Sequence, residues 1–107
     1  MKVARLVLCA ALVSTTATAQ GVTSFGTPDC GKWVNAPNLS MKGWLIGFLT
    51  GANHMYATLS FDPLDQLSSV DQAFVWMDNY CKSNPLSNVG KGAIDLYDEL
   101  KRMARKK

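Results

Sequence analysis

Cysteine, histidine and paired carboxylates are the residues in this chain whose types and spacing could do chemistry. Cys30 and Cys81 lie 51 positions apart. A redox pair uses the Cys-x-x-Cys arrangement that lowers a thiol pKa, and this separation is far from it. A structural zinc site takes four ligands, more than Cys30, Cys81 and the single His54 supply. A nucleophilic triad needs a base beside the nucleophile. His54 is the only histidine, and the serines fall in loop and cap contexts. Asp62 and Asp65 flank a proline turn and read as capping groups. Asp98 and Glu99, with Asp95, fall on the outer side of the last helix, so neither pair faces another carboxylate across a cleft. The expectation is a protein that is not an enzyme, with no catalytic residues, no metal and no cofactor. Cys30 and Cys81 then read as a disulfide.

The compartment follows from the first residues. Lys2 and Arg5 precede the apolar run from Leu6 to Val13, and Ala17-Thr18-Ala19 has the small-x-small form of a cleavage site. Residues 1–19 are therefore expected to be a signal peptide that takes Cys9 with it. The run is too short to span a bilayer. A mature chain from Gln20 has about 88 residues, enough for one domain with a marginal core. Closing a loop of about 50 residues with a disulfide contributes roughly 4 kcal/mol in the chain-entropy model. Disulfides persist in the bacterial periplasm, which is the expected location.

Charge is unevenly spread. The formal net charge is +3. Residues 20–100 carry an excess of acid, all eight carboxylates against Lys32, Lys42, Lys82 and Lys91. Lys101, Arg102, Arg105, Lys106 and Lys107 form a basic C-terminal tail. Such a tail suits nucleic acid or an acidic membrane surface, or it is a solvated helix end whose cations complement the helix dipole. Export favours the helix end, with no nucleic-acid partner.

The elements that position these residues are helical. Residues 20–38 read as an irregular arm with one helical turn at 30–34. A first long helix is expected from a cap at Ser40 to about Met55. Its Gly43, Gly47 and Gly51 line one face, which reads as close approach of another backbone or ring. The alternative reading of that spacing, dimerisation in a membrane, does not suit an apolar run this short. Asp62-Pro63 marks a short turn through Leu67. A second helix opens at Ser69, with Gln72 at the capping-box spacing. It carries Val70, Ala73, Phe74, Met77, Tyr80 and Cys81 at helical intervals, so Cys81 faces the core. Asn84-Pro85 ends it, and Asn84 is expected to cap a last helix with the stripe Val89, Ala93, Leu96, Tyr97, Leu100 and Ala104. The fold class is all-α: a small bundle of about three to four helices, with the arm tied to the core by one disulfide. Residues 20–107 form a single domain, and no transmembrane segment is expected.

Large apolar groups remain after the core is filled. A domain this small can hardly bury three tryptophans. Trp33, Trp44, Phe48 and Trp76 are therefore the expected partner surface, with proteins as the partners.

The order of these residues resembles the small periplasmic acid-stress chaperones HdeA and HdeB. The residues that carry the likeness are Cys30 after a short arm, Trp44 in the first long helix, the string Tyr80-Cys81-Lys82-Ser83-Asn84-Pro85, and the basic end from Lys101 to Lys107. The resemblance covers roughly residues 28–107 and implies an all-helical, disulfide-stapled protein that is a homodimer at neutral pH. It also implies opening in acid to hold unfolded clients, with the tail lysines as solubilising groups. The charge count is coherent with that: with the carboxylates neutral, the mature chain approaches about +10 and repels itself. The run Trp44-Leu45-Ile46-Gly47-Phe48-Leu49-Thr50-Gly51 is also similar to a segment of the Rap/Tai-type immunity proteins. That resemblance implies the competing function, inhibition of a secreted cell-wall hydrolase.

Overall fold

A computed structural model describes residues 22–106. The expected signal peptide with Cys9, the mature start at Gln20 and the last residue of the tail, Lys107, lie outside the described residues. The chain is all-α. Helix α1 spans Cys30–Asn35, α2 Leu39–Tyr56, α3 Val70–Ser83 and α4 Val89–Arg105, with a 3-10 turn at Pro63–Gln66 between α2 and α3. Among the described residues there is no strand, only isolated bridges at Asp29–Asn88 and Thr58–Phe61.

The disulfide joins Cys30 to Cys81, with Cα atoms 4.8 Å apart. Both cysteines are wholly buried, so Cys81 does face the core. The disulfide ties α1 to α3, and two contacts beside it strengthen the tie. Trp33 Nε1 donates to Asp78 Oδ1 at 2.7 Å, and the Trp33 and Phe74 rings sit 6.4 Å apart. The arm is held at its end: Cys30 N donates to Ser87 O at 3.0 Å, and Val89 N to Pro28 O at 2.8 Å.

That pairing decides where the helices start. The last helix does not begin at Asn84, as the sequence suggests. Asn84 is the C-cap of α3, and its Nδ2 donates back to Tyr80 O at 2.9 Å. Residues 85–88 must pass the arm before a helix can form. Asn88 then caps α4 by accepting from Lys91 N at 2.9 Å. In the same way the cap of α2 is Asn38, which accepts from Met41 N at 3.0 Å, and Ser40 lies within the first turn. An Asx side chain takes a cap position at least as readily as serine. Ser69 does stand at the N-cap of α3 but makes no side-chain cap bond. Gln72 instead accepts from Ser68 N at 2.7 Å.

The core is built chiefly by α3 and α4. Leu45 and Leu49 of α2 pack with Ala73, Met77 and Cys81 of α3 and with Val89, Ala93, Leu96, Tyr97 and Leu100 of α4. Val70 and Ala104, placed on these stripes by periodicity, are exposed and half-buried respectively. The close helix approach occurs at Gly92. A Cβ there would lie 2.6 Å from Met77 Sδ and 2.7 Å from a ring carbon of Tyr80. Gly43, Gly47 and Gly51 meet nothing: a Cβ at any of them would have no neighbour within 4 Å. The glycine row of α2 faces outward instead of receiving another element of the fold.

Candidate functional site

The four side chains expected at the surface do not share one fate. Trp33 is wholly buried and belongs to the core, not to a partner surface. Its indole N–H is satisfied by Asp78, which makes full burial cheap. Trp44 and Phe48 are half-buried on α2. Their rings stack 5.5 Å apart, and Trp44 Nε1 donates to Phe25 O at 2.8 Å, so the arm lies across the edge of this pair. Trp76 is half-buried on α3. It stacks on Tyr80 at 5.5 Å and donates to Glu99 Oε2 at 2.9 Å.

The outward face of α2 was not marked by the aromatic residues. Gly43, Gly47, Thr50, Gly51 and His54 are exposed along it, and at its ends Leu39 is 87% and Met55 81% exposed. Helix α2 carries no carboxylate, and its basic groups are Lys42 and His54 alone. A surface helix ordinarily presents charged residues away from the core. This one presents backbone, a hydroxyl, one imidazole and apolar ends. The signal in the sequence was the absence of acid between Leu39 and Tyr56, not the glycine spacing. Leu59, in the tight turn closed by Thr58 N and Phe61 O at 2.7 Å, and Leu86, between α3 and α4, are also fully exposed.

A second feature lies between α3 and α4, beside Trp76. It is a groove of about 500 Å³. Leu67, Val75, Leu96, Leu100 and Met103 form its apolar part. Asp71, Glu99 and the amides of Gln66, Gln72 and Asn79 form its polar part. Glu99, read from the sequence as an outward carboxylate, is thus half-buried at the groove and fixed by the indole.

The basic end is more ordered than a tail. Helix α4 runs to Arg105. Lys101 Nζ pairs with Asp98 Oδ1 at 2.9 Å and lies over the rings of Tyr56 at 4.9 Å and Tyr97 at 5.7 Å. Arg105 lies over Phe61 at 5.8 Å. Cations over ring faces are attracted by the ring quadrupole. Arg102 and Lys106 are exposed, with Arg102 in the last turn, where it suits the helix dipole.

Asn53, not singled out by sequence, joins three elements. Its Nδ2 donates to Asp62 Oδ1 at 2.8 Å. Its Oδ1 accepts from Leu64 N at 3.2 Å and from the Tyr97 hydroxyl at 3.1 Å. Burial first, then the charge of Asp62 and the neighbouring Tyr56, raise the Tyr97 pKa above its ordinary value. His54 beside it is exposed. Among the described residues no group of three or more His, Cys, Asp or Glu side chains is placed to hold a metal ion, and no helix is long and apolar enough to cross a membrane. Compared with models of protein families, with curated proteins and with solved structures, the chain matches none.

Proposed function

We propose that the chain is an exported, non-enzymatic binding protein of the periplasm that holds unfolded protein chains at low pH, as the acid-stress chaperones HdeA and HdeB do. The observation that carries this reading is the outer face of α2. Eighteen residues of helix commit only Leu45 and Leu49 to the buried core. Met41, Trp44, Ile46, Phe48 and Ala52 pack partly against that core, and the outer face that remains, Gly43, Gly47, Thr50, Gly51 and His54, carries no carboxylate and leaves the backbone open to another chain. An unfolded chain is the occupant this suits, because the face has no charged pattern that would select one sequence.

The charge balance supports an acid-dependent role. All eight carboxylates lie within the described residues. Below the ordinary carboxylate range, at about pH 2, they lose their charge while the lysines and arginines keep theirs. The Trp33–Asp78 bond between α1 and α3 and the Trp76–Glu99 bond between α3 and α4 then lose their charge assistance. Self-repulsion favours opening. The disulfide is indifferent to pH in this range and keeps α1 on α3.

Light scattering of a denatured reporter protein diluted to about pH 2 tests the reading. The wild-type protein is expected to suppress aggregation. The Thr50→Lys variant, which places a charge at the centre of the open face at every pH, is expected to require several-fold more protein. No suppression by the wild type overturns the proposal. The exposed positions of the run Trp44 to Gly51, which are Gly47, Thr50 and Gly51, would equally serve an inhibitor of a cell-wall hydrolase. That reading is favoured instead if the wild type blocks such an enzyme and leaves reporter aggregation unchanged.

A further inference from the structure

We propose that the groove between α3 and α4 is a second, selective site, which takes a short segment of a partner protein presenting an apolar side chain flanked by lysine or arginine. The proposal shares with the function above only the premise that the partner is a polypeptide.

The volume of about 500 Å³ falls in the range of roughly 300–1,000 Å³ in which sites enclose a compact ligand or a few side chains. Its apolar part is not closed by the fold. Val75 is 58% and Met103 44% exposed, on facing helices, with Leu67 and Leu100 beneath. An apolar side chain entering between them removes surface on both helices from water.

The charge at the rim selects the neighbours of that side chain. Asp71 sits in the first turn of α3, and Glu99 lines the same groove from α4. The ion pairs among the described residues are Lys91–Asp95 and Lys101–Asp98, so neither groove carboxylate is matched by a cation there. Arg102, one turn beyond Glu99, is exposed and makes no ion pair with it. Glu99 is also oriented. Its Oε2 is fixed by Trp76 Nε1, and no hydrogen bond to Oε1 forms among the described residues. Two carboxylates beside an apolar trough attract an ammonium or guanidinium and repel an acid. The amides of Gln66 and Asn79 at the same rim can bond a main chain. A bare alkylammonium would leave them unmatched, which favours a peptide over a cationic amphiphile.

The test uses three short end-blocked peptides with one leucine-rich framework, carrying lysine, serine or glutamate beside the leucines. Binding to the full-length folded protein is read at neutral pH and low salt by anisotropy of a label and by amide NMR shifts. The lysine peptide is expected to bind about ten-fold more tightly than the glutamate peptide, which corresponds to about 1.4 kcal/mol, and high salt should shrink the difference. In the double variant Asp71→Asn, Glu99→Gln the ratio should collapse to within about two-fold, since the amides keep the hydrogen bonds and lose the charge. Val75→Lys, a change at an exposed position, should weaken the lysine peptide by about ten-fold, and it decides the matter if the double variant fails to fold. Equal affinity for lysine and glutamate peptides overturns the proposal, as does an undiminished ratio in the double variant, or NMR shifts on α2 in place of the groove. If the reporter assay fails but the lysine peptide binds, the groove stands without the chaperone function. If the reporter assay succeeds and the peptides are not distinguished, the groove alone falls.

Discussion

Helices α2 and α4 are nearly equal in length, 18 and 17 residues, and both carry glycines, yet they use them in opposite ways. Helix α4 buries Val89, Gly92, Ala93, Leu96, Tyr97 and Leu100. At its Gly92, α3 comes close enough that Met77 and Tyr80 fill the space a side chain would need. Helix α2 buries two leucines and turns three glycines outward into open space. The difference teaches that a glycine row does not by itself reveal a covered face. On α4 a glycine makes room for a neighbour inside the fold. On α2 the glycines weaken the helix and give the fold no packing in return, which is a reason to look for their use outside it.

The largest test of the packed side is removal of the tie beneath it. Replacing Cys30 and Cys81 together by serine should lower stability by roughly 2–5 kcal/mol, read by urea unfolding. A smaller loss would mean that α1 is held mainly by Trp33 and Asp78. Next comes Gly92→Ala. Overpacking against Met77 and the less yielding Tyr80 ring should cost about 1–3 kcal/mol by the same measurement. An unchanged midpoint would show that α4 can draw back from α3.

The contact that links the two helices gives a milder effect. Tyr97→Phe removes the hydroxyl that donates to Asn53, and should cost about 0.5–1.5 kcal/mol at neutral pH. It should also flatten the alkaline limb. A tyrosine whose pKa is raised by folding contributes stability that is fully present below its unfolded value and lost as pH rises through the folded value. The variant lacks that loss above about pH 10, as unfolding curves at neutral and alkaline pH would show. The smallest effect has the opposite sign and sharpens the comparison most. Gly47→Ala, with nothing within 4 Å of the new methyl, should stabilise the protein by about 0.5–1 kcal/mol. Destabilisation would mean that the face of α2 is covered in solution.

The parts of this fold that were legible in sequence are those set by local rules. Periodicity turned Cys81 inward, and Pro85 stopped α3. The parts that were not legible depend on residues far apart in the chain. Asn88 displaces Asn84 as a cap because the arm at residues 28–30 pairs with residues 87–89. Trp33 can be buried because Asp78, 45 positions away, receives its N–H. Gly92 carries no local signal of its role, which comes only from Met77 and Tyr80 of α3 lying against it. Lys101 and Arg105 read as a free basic end, but Tyr56 and Phe61 come back to lie beneath them. The outer face of α2 was misread for the same reason: spacing records which residues share a face, and what covers that face is a property of the whole chain. The α3–α4 groove needed the two helices side by side before Asp71 and Glu99 could be seen together.

The comparison of α2 with α4 can be put directly to the protein by photocrosslinking. A photoreactive side chain would replace Thr50 on the open face of α2 or, separately, Lys91 on the exposed side of α4. Each protein would be irradiated with a denatured reporter chain at about pH 2. The expected result is strong reporter adducts from position 50 and few from position 91. Equal adducts from both positions, or adducts at position 50 only to a second copy of the same protein, would contradict the assignment of α2 as the face that holds other chains.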